Sequence, residues 1–161
     1  MLRFDFLNKQ EKEVWLPRLF DLLYDNMASI APGDLPYEEE KRQWLAAVSP
    51  GLGKAPRQII LCFAEEELAG FAQFYTRDDL LMVEEVQIAK PYHRSFLFYR
   101  LCRFLLEQLP PEIGVVEAYA EKRNLHSLRI MKKLGMEDLG EEGAFVHLRG
   151  DARCIREKFT K

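Results

Sequence analysis

Residues 80–121 read LLMVEEVQIAKPYHRSFLFYRLCRFLLEQLPPEIGVVEAYAE, and the period of the apolar side chains changes twice along them. Leu80 to Ala89 is an aliphatic run of strand length that follows the turn residues Asp78-Asp79. Leu97, Leu101, Phe104 and Leu105 then repeat at helical spacing, and Pro110-Pro111 stops that helix. Gly114 to Glu121 returns to strand character. A strand joined to the next by a crossover helix implies a parallel pair. Ligands in such folds sit where the chain leaves the carboxyl end of a strand and enters a helix, here Lys90 to Phe96.

Upstream, Leu2 to Leu7 alternate apolar and polar as a strand does. Val14, Trp15, Leu19, Leu22, Leu23 and Met27 predict a helix from about Gln10 to Ile30, with Pro17 as a kink or break. Residues 31–36 are loop chemistry, Tyr37 to Val48 a second helix, and Ser49 to Pro56 another loop. Ile59 to Ala64 and Leu68 to Tyr75 flank an acidic turn, so with Leu80 to Ala89 they predict an antiparallel meander. Downstream, Asn124 caps a helix running through Leu134, and Gly135 suits its C-terminal cap. Two short strands, about Glu137 to Leu139 and Ala144 to Leu148, complete a mixed α/β plan, and residues 150–161 read as a basic, weakly patterned tail. The order is β-α-α-β-β-β-α-β-α-β-β in a single domain spanning residues 1–161, with neither repeats nor an interdomain linker.

Composition bounds the function class. The chain has 161 residues, 48% hydrophobic and 30% charged, and a net charge of -3, which fits one ordinary domain with a sizeable core. Disorder and a disulfide scaffold are excluded, and the acidic balance argues against a surface devoted to nucleic acid. Cys62, Cys102 and Cys154 form no C-x-x-C and read as buried free thiols. His93, His126 and His147 share no chelating spacing, so no metal is expected. With no signal-like or membrane-length apolar stretch, the expected location is cytoplasmic. The charge is not evenly spread. Residues 88–135 carry nine basic against four acidic side chains, a surplus of five, which leaves a deficit of eight for the remainder. A basic half built around two helix N-termini suits a phosphate-rich ligand.

Two stretches resemble the GNAT superfamily of acyl-coenzyme A-dependent N-acetyltransferases. Asn124-Leu125-His126-Ser127-Leu128-Arg129-Ile130-Met131-Lys132-Lys133-Leu134-Gly135-Met136 is similar to that family's Asn, small residue, helix and basic-Leu-Gly-Met pattern. Val83 to Phe98 is similar to the strand, loop and helix start of its coenzyme site. The resemblance covers nearly the whole chain and implies a GNAT-like mixed sheet and transfer of an acetyl or other acyl group from acetyl-coenzyme A, or another acyl-coenzyme A, to a small-molecule or peptide amine. Charge balance, histidine spacing and the lack of a long apolar stretch lead separately to the expectation of no nucleic-acid or membrane partner and no metal. The family loop reads R/Q-x-x-G-x-G/A, whereas His93-Arg94-Ser95-Phe96-Leu97-Phe98 puts phenylalanine at both glycine positions. That departure keeps an alternative in view, a GNAT-fold protein that has lost coenzyme A and serves as a binding or regulatory module.

The implied coenzyme contacts are the backbone of Val86, Gln87 and Ile88 along the pantetheine arm, the amides of His93, Arg94, Ser95, Phe96, Leu97 and Phe98 at the pyrophosphate, and Asn124 with Ser127. Direct attack of an amine on the thioester needs a base and a proton for the leaving thiolate. Glu84 and Glu85 are the candidate bases; strand alternation would send them to opposite faces, and Glu84 is preferred. Many family members place a Tyr seven residues after the Asn, but Met131 stands there and a thioether donates no proton. Tyr119 and Tyr92 are the candidate replacement acids, and Asn124 is either an N-cap alone or a ligand as well. The acceptor pocket is expected from residues 28–40 and the end of the chain.

Overall fold

The computed structural model describes residues 1–53 and 56–160. Seven strands form one sheet in the order β1-β2-β3-β4-β5-β7-β6, where β1 is Leu2–Phe6, β2 Gln58–Ala64, β3 Glu67–Arg77, β4 Leu80–Ile88, β5 Val115–Glu121, β6 Glu137–Glu142 and β7 Phe145–Asp151. The meander β2-β3-β4 is antiparallel, as its turns predict, and β4 and β5 are parallel, as their crossover helix requires.

Helices cover both faces. On one, α1 (Lys12–Met27) and α2 (Tyr37–Gly53) bury Leu16, Leu19, Val48 and Leu52 against Ile59, Leu61, Phe63 and Phe71. On the other, α3 (Leu97–Glu107) lays Leu97, Leu101 and Leu105 on Ile60, Ala72, Leu81 and Val116. The short helix α4 (Leu125–Lys133) has Asn124 as its N-cap, whose Oδ1 accepts the Ser127 amide at 3.2 Å, and Gly135 after it takes φ 91°, the left-handed conformation that ends a helix. No helix among the described residues is long and apolar enough to cross a membrane.

Three expectations are corrected. Pro17 neither breaks nor ends α1: the lost hydrogen bond is offset by burial of Leu16 just before it and of Leu19 and Phe20 on the following turn. The loop expected from Ser49 is helical to Gly53, because α2 runs through Pro50 to seat Leu52 in the core; residues 54 and 55 of that loop lie outside the described residues. The expected tail is a helix, α5 (Ala152–Phe159). Its N-cap Asp151 accepts the Cys154 amide at 3.0 Å, and Ala152, Ile155 and Phe159 form a sparse but continuous buried stripe at helical spacing. Gly150 permits that docking, since a Cβ there would stand 3.0 Å from both Ile155 Cδ1 and Met136 Cγ. The cysteines also divide: Cys62 is buried, Cys102 half-buried and Cys154 exposed on the outer side of α5.

Candidate active site

Strands β4 and β5 pair only over Leu80–Val83 with Val115–Ala118. Past that point Glu84 is an extra residue in β4: Gln73 of β3 lies opposite Glu85, and Phe74 opposite Val83. A bulge sharpens twist and bends its strand. The parallel neighbours consequently separate into a wedge open toward their carboxyl ends, and the β4 edge from Glu84 onward has no strand beside it. A cavity of about 180 Å3 occupies this wedge, bordered by Glu84, Glu85, Val86, Gln87, Tyr119 and Asn124.

The bulge overturns the expected alternation of the two carboxylates. Both face the α1–α2 layer. Glu84 is clamped by Arg57, with Nε and Nη2 each donating at 2.7 Å to one carboxylate oxygen, while Arg57 Nη1 donates to the Ala47 carbonyl of α2 at 3.0 Å. Glu85 accepts from Gln87 Nε2 at 2.9 Å, and Gln87 Oε1 in turn accepts from Asn26 Nδ2 of α1 at 3.0 Å. Burial pushes the Glu85 carboxyl up to about 7; adjacent Glu84 adds to the rise and the Gln87 amide opposes it. The two carboxylates thus differ in kind. Glu84 is neutralised by a bidentate guanidinium, and Glu85 is poised to exchange a proton near neutral pH.

On β5 and β7, Tyr119 and His147 stack with ring centroids 4.5 Å apart and planes within 8°. His147 Nε2 also forms a short hydrogen bond with Glu117. A hydrogen bond to Glu142, then burial and the charge of Glu117, hold the Tyr119 phenol above its ordinary range, so it is protonated at neutral pH. Tyr92 is differently placed: its hydroxyl turns to Glu67 Oε2 at 3.5 Å, away from the wedge.

The loop into α3 is held by its own side chains. His93 Nε2 contacts the Ile88 carbonyl at 2.7 Å, and that oxygen also accepts from Asn26 Nδ2 at 2.8 Å. Ser95 Oγ donates to the Tyr92 carbonyl at 2.6 Å and accepts the Leu97 amide at 3.2 Å. The backbone N–H groups of Arg94, Phe96 and Phe98 find no acceptor among the described residues. These are the donors that the start of a helix leaves open to an anion.

The sequence matches no family model and no curated protein. The architecture, however, matches solved structures at full length. PaiA N-acetyltransferase from Thermoplasma acidophilum, in complex with coenzyme A, superposes with a TM-score of 0.74 at 13% identity, covering 94% of this chain and 99% of that one. An acetyltransferase of the GNAT family from Staphylococcus aureus Mu50 gives 0.69 at 9% identity, over 94% and 99%. An aminoglycoside acetyltransferase in complex with coenzyme A gives 0.66 at 16% identity, over 98% of both chains. The chain has the GNAT fold.

Within this GNAT fold the two phenylalanines lie in different places. Every residue with positive φ among those described lies elsewhere, at Glu65, Asp78, Gly135, Gly140 and Gly143, so the loop asks no residue for a conformation reserved to glycine. Phe96, 83% exposed, turns its ring to solvent, whereas Phe98 turns inward and lines the cavity. Ser127 and Met131 line it too, Leu97 is buried beneath the sheet, and Arg94 faces solvent. Met27, at the end of α1, borders the same space, while Ile155 and Phe159 of α5 reach it from the opposite face.

Sequence reasoning missed Arg57, Asn26 and His147. Asn26 left a trace, a polar residue on the buried stripe of α1 seven positions beyond Leu19. Arg57 and His147 left none, because their partners are 27 and 30 residues away and only sheet register brings them together.

Proposed function

We propose that this protein is an N-acyltransferase that moves an acyl group from an acyl-coenzyme A to an amine by direct attack. The observation that carries the reading is the wedge itself, whose cavity is bordered by an unpaired strand edge, by Phe98 at the start of α3 and by a carboxyl that burial raises toward neutrality. The charge division of the sequence agrees, since the anion-binding end falls in its basic half.

The residues fit the donor part by part. The amides of Arg94, Phe96 and Phe98 at the start of α3 receive the pyrophosphate. The open β4 edge at Val86 and Gln87 pairs with the pantetheine amides as an added strand does. Asn124 and Ser127 border the arm from α4. Glu85, aligned by Gln87 and Asn26, takes the proton of the incoming ammonium. The amine nitrogen then attacks the thioester carbonyl carbon; the C–N bond forms, the C–S bond breaks, the nitrogen sheds its second proton to restore the acid that is used, and the sulfur receives a proton. Tyr119, protonated and on the same side of the sheet as Glu85, supplies that proton. Glu84 binds no substrate in this scheme and secures the bulge through Arg57.

Titration calorimetry with acetyl-coenzyme A, followed by thiol release in the presence of amines, tests the reading. Binding with saturable heat and amine-dependent thiol release is the expected result. No heat and no thermal shift at millimolar acyl-coenzyme A overturns it and leaves the non-catalytic module in its place.

A further inference from the structure

The cavity does not end where the strands part. Its polar rim, at Glu84, Glu85, Gln87, Tyr119 and Asn124, lies on the α1–α2 side of the wedge, but its lining continues through to the opposite face. There Leu81 and Val116 contribute to the wall, and these two are register partners in the closed part of the β4–β5 ladder. Along α3 the lining runs from Phe98 through Cys102 to Leu106, a span of about 12 Å at the helical rise of 1.5 Å per residue. Ile155 and Phe159 of α5 also wall this inner part.

This inner part is chemically unlike the rim. The side chains named here are aliphatic and aromatic apart from the thiol of Cys102, which burial pushes up to about 12 and so keeps neutral. A pantetheine arm carries two amides that need partners, and these apolar side chains supply none. Ala118 and Ala120, buried on β5 facing this side, present only methyl groups to the cavity. Protein cores otherwise close such space, because unfilled apolar volume is destabilising in proportion to its size.

We propose that this chamber holds the acyl chain of the donor, and that the preferred donor is a thioester with a short acyl chain longer than acetyl: the whole cavity, rim included, measures about 180 Å3, and since an apolar cavity of about 150 Å3 holds a six-carbon benzene ring, about six carbons is the upper bound. The inference rests on the acyl-transfer reading and sharpens its substrate class. The thioester carbonyl stays at the rim beside Glu85, and the chain passes between β4 and β5 into the space under Phe98 and Cys102. The chemistry is unchanged: the C–N bond forms as the C–S bond breaks, the first ammonium proton goes to Glu85, the sulfur takes one from Tyr119, and the nitrogen's second proton restores Tyr119.

A chain-length series tests it, with affinities of coenzyme A, acetyl-, butanoyl-, hexanoyl-, octanoyl- and dodecanoyl-coenzyme A measured by calorimetry and turnover by thiol release. Affinity and kcat/KM are expected to rise about fourfold per added methylene to an optimum at butanoyl or hexanoyl, then to fall for dodecanoyl. Cys102→Leu, which fills the middle of the chamber, moves that optimum toward acetyl. A profile that is flat or falls from acetyl onward overturns the chamber while leaving acyl transfer intact. Failure of every thioester, coenzyme A included, overturns both readings. Should Cys102→Leu fail to fold, the wild-type profile decides alone.

Discussion

Glu85→Gln separates stability from activity, and the structure fixes the sign of both. In the native protein the Glu85 carboxyl titrates at about 7 against an ordinary 4.5. A folded-state pKa raised above the unfolded one means that, between those values, the native state holds a proton the unfolded state has released. Stability therefore falls as pH rises through that window, and the loss is complete above 7. The shift corresponds to about 3 kcal/mol at 1.36 kcal/mol per unit, and the solvent contact that half-buried Glu85 keeps reduces this to about 2–3 kcal/mol. Glutamine keeps the acceptor for Gln87 Nε2 and carries no charge to bury. Glu85→Gln is accordingly expected to be more stable than wild type by about 2–3 kcal/mol at pH 8, a melting-temperature rise of roughly 4–12 °C for a chain of this size, and equal to wild type near pH 4. Its kcat/KM should fall by about 10²–10⁴, the usual contribution of a general base. The wild-type kcat/KM should rise with pH through a limb near 7 that the variant lacks. Urea unfolding of both proteins from pH 4 to 8 is the assay. A stability difference that does not vary with pH refutes the assignment of the raised carboxyl to Glu85.

Tyr119→Phe keeps the ring stacked on His147 but removes the phenol proton, so kcat should drop by about 10²-fold or more with the melting temperature little changed; a thiol-release assay reads the rate. Arg57→Ala leaves the Glu84 carboxylate half-buried and unpaired, and should cost about 2–3 kcal/mol in urea unfolding, much of it recovered in the double variant Arg57→Ala, Glu84→Gln. Asp151→Ala removes the N-cap of α5 and should cost about 1 kcal/mol by thermal unfolding. Gly150→Ala forces Ile155 or Met136 to move and should destabilise by about 1–3 kcal/mol in the same measurement.

What the sequence discloses follows from how local each determinant is. The parallel pair was legible because strand, helix and strand succeed one another within residues 80–121, and the caps Asn124 and Gly135 bind their own neighbours. Helix α5 was obscured because three buried residues, Ala152, Ile155 and Phe159, are spread among four charged ones and Cys154. Pro50 looked like a boundary because nothing beside it announces that Leu52 reaches the core. The glycine pattern is a different case: it records what the backbone must tolerate in many chains, whereas this loop uses Ser95 and His93 to hold a conformation that needs no glycine. The choice between Glu84 and Glu85 was not available at all. Alternation is a rule for regular strands, and the bulge that suspends it arises from pairing with β3, twelve residues upstream along the chain.

The bulge also explains where the molecule tolerates its unfavourable groups. The two buried side-chain oxygens without a hydrogen-bond partner among the described residues are Asn26 Oδ1 and Gln73 Oε1. Gln73 lies opposite Glu85 in the β3–β4 ladder, and Asn26 holds both Gln87 and the Ile88 carbonyl. The carboxyl that burial drives to about 7 belongs to the same few residues. Each unpaired buried oxygen costs about 1–3 kcal/mol and the raised carboxyl a similar amount, yet all three gather at the point where β4 leaves β5. A core selected for stability alone would spread or remove such costs, and the remainder of this one does, with aliphatic residues filling both faces of the sheet. Concentrated violations of local rules mark the part of a fold that is kept for chemistry. This physical argument is independent of any similarity to other proteins, and among the described residues it points to the wedge that Glu85 borders.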